Sequence, residues 1–135
     1  SYEMIYFSKI LYAYKLEPDR DTMWIQAQAT YDEKKPWYKQ NGRWEDSDNN
    51  DLSVYRNGRA RLDANGSEYS GTFNADFTEL TYTEYSNRNV TTKENGKWTI
   101  TLDKSKTPPE LSAVNSISKD KVILQFQGDD LLYNH

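Results

Sequence analysis

The sequence predicts an all-β domain whose antiparallel strands follow one another in an up-and-down meander and close into a barrel of eight to ten strands. Apolar and polar residues alternate along most segments, as in strands that turn one face to a core. Asn-Gly pairs, which are the strongest short hairpin signal, occur at 41–42, 57–58, 65–66 and 95–96. Consecutive hairpins close most simply into a barrel, because closure leaves no exposed edge strand. A two-sheet β-sandwich is the alternative arrangement of the same strands.

The length and composition indicate one folded domain. A chain of 135 residues is long enough for one core and short for two, so we expect a single domain over residues 1–135. The absence of cysteine excludes disulfides, thiolate zinc sites and cysteine nucleophiles. The 11 tyrosines and 4 tryptophans are typical of a folded protein whose sheet has one wet face, and not of a disordered chain.

The charge balance and the chain start bear on partners and location. The net charge is −4, with 17 basic and 21 acidic residues, which argues against a nucleic-acid partner. No apolar run approaches the roughly 18 residues of a membrane-spanning helix, so we expect no membrane span. The chain begins with Ser1 and not with methionine, and we expect an exported protein (periplasmic, cell-surface or secreted) whose leader has been removed. We also expect a monomer.

The first 51 residues are predicted to hold two segments of regular structure and a long loop. Residues 2–16 alternate with period two, but the other parity also carries apolar residues, so a strand and a helix are both open there. Residues 23–31 alternate cleanly and indicate a half-buried strand. The polar stretch 32–51 indicates a long loop with one short strand around Trp44.

The hairpin at Asn57-Gly58 allows its register to be predicted. A two-residue turn would place arginines opposite each other, which is poor pairing. A three-residue loop at 56–58 instead places Val54 opposite Ala60 and Leu52 opposite Leu62. It also puts glycine at the left-handed position of such loops, so we predict this register.

The next hairpins extend the same apolar face. A four-residue loop ending at Gly66 predicts Ala60 opposite Tyr69, and a turn at 74–77 predicts Tyr82 opposite Tyr69. The residues predicted to point into the barrel, and to form its ligand-binding interior, are Tyr69, Phe73, Leu80, Tyr82, Trp98 and Ile100.

The last third of the chain completes the strands. Asn95-Gly96 is predicted to join a strand at 90–94 to a strand at 97–102. Further strands are predicted at 111–117, 122–126 and 131–133.

The residue types that carry catalysis are poorly represented, and we expect no enzyme, no metal site and no cofactor. The one histidine, His135, is the last residue, where a catalytic relay or a zinc site is badly placed. The acidic residues show no spacing that singles out a catalytic pair. The run 46–51 opens like a calcium loop, but Asp51 stands where that motif requires glycine.

An aromatic group in the long loop has two interpretations. Trp37, Tyr38 and Trp44 lie among lysines and a proline, which is typical of a surface loop. Exposed rings there would be a recognition surface for a protein or a glycan. Alternatively, the loop folds over one end of the barrel and plugs it.

Three phrases in the second half of the chain carry a family resemblance. They are Gly-Thr-Phe-Asn-Ala-Asp at 71–76, Lys-Trp-Thr-Ile-Thr at 97–101, and Ile-Ser-Lys-Asp-Lys-Val-Ile-Leu at 117–124. In this order they resemble the small lipocalin-like proteins exported by Bacteroides-type bacteria, over about residues 52–133. Phe77 stands where that turn prefers glycine. The resemblance implies a barrel of about eight strands with a binding cavity, and it implies no catalytic residues.

Two classes of binding function follow. The first is a non-enzymatic, lipocalin-like barrel that holds a small apolar or amphipathic ligand in its interior. The second uses the aromatic loop at 36–44, either as a protein-recognition module of the inhibitor or immunity type or as a carbohydrate-binding module.

Overall fold

The structure, a computed structural model, describes residues 30–128, of which 31–127 form one compact unit. The segment predicted at 2–16, most of the strand predicted at 23–31 and the strand predicted at 131–133 lie outside the described residues, as does His135. The described part begins with a loop that contains a 3₁₀ helix at Trp37–Lys39. Its eight strands are β1 (Gly42–Glu45), β2 (Asp51–Val54), β3 (Arg59–Ala64), β4 (Ser67–Phe73), β5 (Glu79–Asn87), β6 (Val90–Asp103), β7 (Glu110–Asn115) and β8 (Lys121–Gly128).

The strands form a closed barrel in which every strand pairs with its neighbour in the sequence. All pairings from β1–β2 to β7–β8 are antiparallel. Gly42 in β1 lies against β8: a Cβ atom built on it would be 2.5 Å from the Phe126 ring and 2.6 Å from the Gln127 carbonyl oxygen. The predicted all-β meander that closes into a barrel is confirmed.

The alternation in the sequence places the core inside the barrel. Along β3 and β8, exposed or half-buried residues alternate with buried ones, as the two-residue period of a strand requires. The buried side chains come from the inner faces of all eight strands and from the 3₁₀ helix. They include leucines that are almost fully buried: Leu62, Leu80, Leu111 and Leu124.

The β2–β3 register is the predicted one. Val54 lies opposite Ala60 and Leu52 lies opposite Leu62. Gly58 has a φ of 83°, a left-handed conformation that glycine adopts without steric cost. The prediction of a three-residue loop is therefore confirmed.

The β3–β4 register differs from the prediction by two residues. Leu62, and not Ala60, lies opposite Tyr69. The connection is a two-residue turn in which both Asn65 and Gly66 have positive φ, at 53° and 85°. Such a mirror-image turn matches the twist of the strands, so the tighter connection is preferred here. A shift of two residues keeps the same side chains inside.

The β4–β5 register also differs from the prediction. Phe73 lies opposite Leu80, two residues from the predicted pairing, and the register shifts by one more residue between Tyr69 and Thr72, so Tyr69 lies opposite Tyr85 and not opposite Tyr82. The inward parity of β4 is maintained, since Tyr69 and Phe73 are both buried.

The predicted turn at Asn95-Gly96 is wrong, because β6 runs through it without interruption. The turn between β5 and β6 lies earlier, at Arg88 and Asn89, which have φ values of 51° and 68°. Gly96 serves a different purpose. A Cβ atom there would collide with the Tyr82 hydroxyl, so glycine at this position admits the tyrosine ring.

Candidate ligand-binding site

The six residues predicted to line the barrel interior are all buried. The most exposed of them, Tyr69, has 8% of its surface accessible. Tyr69 packs edge-to-face on Tyr82 and on Trp98, with ring centroids 4.9 and 5.1 Å apart. These rings fill much of the barrel between β4 and β6 with the protein's own side chains. The six residues are Tyr69, Phe73, Leu80, Tyr82, Trp98 and Ile100.

A hydrogen-bonded network joins Tyr82 to Glu94 and Asn115 beside these rings. The Tyr82 hydroxyl donates to the Glu94 carboxylate at 2.5 Å and accepts from the Asn115 amide at 3.0 Å. Burial, followed by the bond to Glu94, raises the pKa of Tyr82 to about 12. The carbonyl oxygen of the Asn115 side chain accepts from the backbone N–H groups of Ile117 and Ser118, which fixes the turn between β7 and β8.

The indole N–H of Trp98 takes no part in this network. It is buried, and no acceptor lies within hydrogen-bond distance in the described part of the chain. A buried donor without an acceptor costs free energy, about 1–3 kcal/mol in typical cases. Trp98 therefore leaves one polar group unsatisfied inside an otherwise aromatic wall.

The aromatic loop covers one end of the barrel. Trp37 and Trp44 are 8% and 3% exposed, and the Trp44 indole N–H donates to the Trp37 carbonyl oxygen at 3.3 Å. Trp37 packs edge-to-face on Trp44 and on Phe73, with centroids 6.1 and 5.8 Å apart. This placement agrees with the plug interpretation. The recognition interpretation needed exposed rings, and neither tryptophan is exposed.

Tyr38 is the outer ring of this cap. It is half-buried and stacks on Phe77, with centroids 3.7 Å apart and planes within 3° of parallel. Phe77 has a φ of 54°, which is unusual for a bulky residue. It also packs on Phe73, at 5.2 Å. Ring contacts on two sides thus accompany a backbone conformation that would favour glycine.

Gln40 organises the loop that carries the cap. Its side-chain oxygen accepts from the Asp32 backbone N–H at 2.8 Å. Its side-chain nitrogen donates to the carbonyl oxygens of Asp32 and Lys35 at 2.8 and 3.0 Å, with a longer bond of 3.4 Å to that of Pro36. One amide therefore joins both ends of the loop, which holds Trp37 over the barrel.

A pocket of about 150 Å³ lies beside this cap, at the seam between β1 and β2. Pairing across the seam consists of Trp44 opposite Leu52 and Glu45 opposite Asp51. Among residues 30–128, the next residues of β2, Ser53 and Val54, pair only with β3. The barrel wall therefore opens next to the cap. The pocket is half open to solvent, and its walls are formed by Trp37, Tyr38, Gln40, Gly42, Arg43, Trp44, Leu52, Ser53 and Val54.

An acidic row crosses the outer face near the same seam. Glu45 lies opposite Asp51, which in turn lies opposite Asp63. Burial, followed by the charge of Asp63, raises the pKa of Asp51. Arg61 donates to the Asp63 carboxylate at 3.1 Å and lies 3.9 Å from Glu68. In residues 30–128, no group of three or more acidic or histidine side chains could hold a metal ion.

Comparison with known proteins gives no relative for the chain. No family model, no curated protein and no solved structure matches it. The candidate site therefore has to be interpreted from its own geometry.

Among the described residues, no helix is long and apolar enough to cross a bilayer.

Several residues of the site were not singled out in the sequence. The parity of Leu52 and Val54 assigned both residues to the core. Their place in a pocket wall could not be predicted, because the point at which β1 stops pairing with β2 leaves no signal in the local sequence. Gln40 is one polar residue among many in its loop. Phe77 gave a usable signal, since it occupies a turn position that prefers glycine and its ring stacks on the cap.

Proposed function

We propose that this protein is a non-enzymatic, lipocalin-like binding protein for a small apolar or amphipathic ligand. The pocket beside the aromatic cap is its entry site. The observation that carries the proposal is the half-open volume of about 150 Å³ at the β1–β2 seam, which reaches buried tryptophan rings. Concave sites with apolar walls and a few polar groups are the usual form of small-molecule sites.

The chemistry of the pocket supports an amphipathic ligand. Trp37, Trp44 and Leu52 are buried and supply apolar walls. Arg43 and Ser53 supply polar groups at the same pocket. A ligand with an apolar body and one polar end would match both parts.

The barrel interior has a supporting role in this proposal. Phe73 touches Trp37, so the inner rings back the cap from behind. A ligand that displaced Trp37 inward or outward would meet an aromatic interior in which the Trp98 N–H can donate a hydrogen bond. The resemblance to exported lipocalin-like proteins supports the same function and an exported location. A monomeric state is part of the proposal.

Native mass spectrometry and tryptophan fluorescence test the proposal with Nile red, a neutral probe that has an apolar body and a carbonyl group. We expect one equivalent to bind with a blue-shifted probe emission. Val54→Phe should weaken binding at least tenfold, because the new ring fills the pocket. Val114→Phe is the matched control, since Val114 is also partly buried but lies on β7, away from the pocket.

Two outcomes would contradict the proposal. Equal binding by both variants would place the probe elsewhere on the barrel. No binding of Nile red, together with no co-purified small molecule in the native spectrum, would shift the assignment to a protein or glycan partner of the 36–44 loop. A pull-down and a glycan array with the same Val54→Phe and Val114→Phe variants would then decide between those partners.

A further inference from the structure

We infer that the seam pocket selects a single planar ring that carries one polar substituent. This inference rests on the proposed function and names the ligand class of that site. The ring is either that of a free aromatic compound or an aromatic side chain of a peptide. The volume, the ring geometry and the polar rim each support it.

The volume inside the pocket has room for about one ring. An engineered apolar cavity of about 150 Å³ in another protein holds benzene. The seam pocket has the same volume, about 150 Å³, but it is half open to solvent. A larger ligand, such as Nile red or a fatty acyl chain, would therefore leave part of its apolar body outside the pocket.

The walls favour an aromatic ring over an alkyl group of equal size. Trp37 already packs at nearly right angles on Trp44 and on Tyr38, with interplanar angles of 85° and 87°. All three rings line the pocket, so a further ring would contact aromatic side chains. Edge-to-face and offset contacts between rings add about 0.5–1.5 kcal/mol beyond the buried area. That energy corresponds to a preference of about 2- to 13-fold for an aromatic over a saturated ring.

Polar side chains line the pocket as well as aromatic ones. The side-chain amide of Gln40 is engaged by its own loop, so it is not the group that selects a ligand. Arg43 and Ser53 are exposed polar residues of the lining and form its rim. Arg43 pairs with Glu45 at 3.4 Å and places a positive charge beside the opening. A hydroxyl or an anionic substituent therefore fits the rim better than a cationic one.

The test compares four small probes by ligand-observed NMR and by the ¹⁵N-indole signals of the tryptophans. The probes are p-cresol, 4-methylcyclohexanol, toluene and 4-methylbenzylamine. We expect p-cresol to bind and to shift the indole signals of Trp37 and Trp44 but not that of Trp98. Its affinity should exceed those of the other three about fivefold. Ser53→Ala should reduce that advantage over toluene, whereas Ser112→Ala on β7 should not.

The outcomes separate this inference from the proposed function. Equal binding of p-cresol and 4-methylcyclohexanol would overturn the ring preference. Binding of Nile red at the pocket without binding of p-cresol would overturn the inference and leave the proposed function standing. If none of these probes binds, both fail.

A fifth probe distinguishes the two sources of the ring. Acetyl-Gly-Tyr-Gly-amide carries the same phenol ring on a peptide. Tighter binding of the peptide than of p-cresol would assign the ring to a peptide partner. Tighter binding of p-cresol would assign it to a free aromatic compound. Either result supports the shared ring chemistry.

Discussion

At the scale of single residues, the buried tryptophans Trp44 and Trp98 differ in their indole N–H groups. The Trp44 N–H donates to the Trp37 carbonyl oxygen, whereas the Trp98 N–H has no acceptor in the described part of the chain. Both rings lie in the core. The pair therefore separates the contribution of ring packing from that of the hydrogen bond.

Replacing each tryptophan with phenylalanine should have unequal effects on stability. Both variants lose ring volume, but Trp44→Phe also leaves a buried carbonyl oxygen without its donor, and Trp98→Phe removes a donor that had no acceptor. We expect Trp44→Phe to lower the free energy of unfolding by about 1 kcal/mol more than Trp98→Phe does. Urea denaturation measures this difference. An equal or larger loss for Trp98→Phe would show that its N–H is satisfied in solution.

The raised pKa of Asp51 predicts that the stability of the fold decreases as the pH rises through the titration of this residue. Its pKa in the folded protein is raised above the unfolded value by burial and by Asp63. Ionised Asp51 therefore destabilises the fold once the pH rises through the folded pKa, and the penalty is absent below the unfolded value near 4. Asp51→Asn should raise the stability at pH 7 by roughly 0.5 kcal/mol and change it little at pH 3.

Thermal unfolding at both pH values measures the effect of Asp51→Asn. Asp63→Asn is the control, because it also removes one acid from the pair but loses the bond from Arg61. We expect no gain in the melting temperature from Asp63→Asn. A gain from Asp51→Asn that persisted at pH 3 would contradict an ionisation effect.

At the scale of elements, the loop that carries the cap depends on Gln40. Its amide bonds to both ends of the turn that precedes the 3₁₀ helix, so the position of Trp37 rests on one side chain. In Gln40→Ala we expect the cap to loosen and Trp37 to become accessible. Acrylamide quenching of tryptophan fluorescence should increase, and the emission maximum should shift to longer wavelength.

The control for Gln40→Ala is Gln125→Ala. Gln125 is an exposed strand residue with one longer hydrogen bond, 3.3 Å, to Glu110. This variant should leave quenching unchanged. If Gln40→Ala behaves in the same way, the ring contacts of Trp37 with Trp44 and Phe73 are sufficient to hold the cap.

The hairpins show which part of the fold a sequence can predict. A register error of two residues does not change which face of a strand a side chain occupies. The six predicted interior residues are therefore all buried, even though the predicted β3–β4 register was wrong. The positions of the turns are harder to predict from the sequence than the inward-facing residues are. Arg88-Asn89 forms the turn with two left-handed residues and no glycine, while the stronger signal at Asn95-Gly96 lies inside a strand. Gly96 is required there by the ring of Tyr82, a contact between strands that local sequence does not record.

The candidate site was less predictable than the fold. Trp37, Tyr38 and Trp44 were recognised as a group from their composition, and all three line one pocket. The pocket itself arises where the pairing of β1 with β2 stops, beyond Trp44 and Leu52. Sequence patterns fix which residues face inward, but the length of a ladder depends on how the whole sheet curves.

At the scale of the whole molecule, barrel closure joins segments that are distant in the sequence. Gly42 in β1 lies against Phe126 and Gln127 in β8. The contact therefore connects the two ends of the described barrel. The nearby seam between β1 and β2 is open beside the pocket, so β1 is held on one side by a short ladder and on the other by β8.

Gly42→Ala should weaken closure without unfolding the remaining hairpins. The added methyl group would lie 2.5 Å from the Phe126 ring and 2.6 Å from a backbone oxygen, and the backbone cannot yield as a flexible side chain would. We expect a loss of about 1–3 kcal/mol in the free energy of unfolding. Because β1 has few other partners within the described barrel, faster amide hydrogen exchange should be concentrated in β1 and β8.

Gly58→Ala is the control that separates closure from a general loss of stability. A Cβ atom at Gly58 meets nothing within 4 Å, but its φ of 83° strains any other residue. It should also cost about 1 kcal/mol, through the turn between β2 and β3. Its faster exchange should remain in that hairpin. If Gly42→Ala and Gly58→Ala give the same exchange pattern, the barrel opens as one cooperative unit, and the seam pocket cannot admit a ligand by local movement of β1.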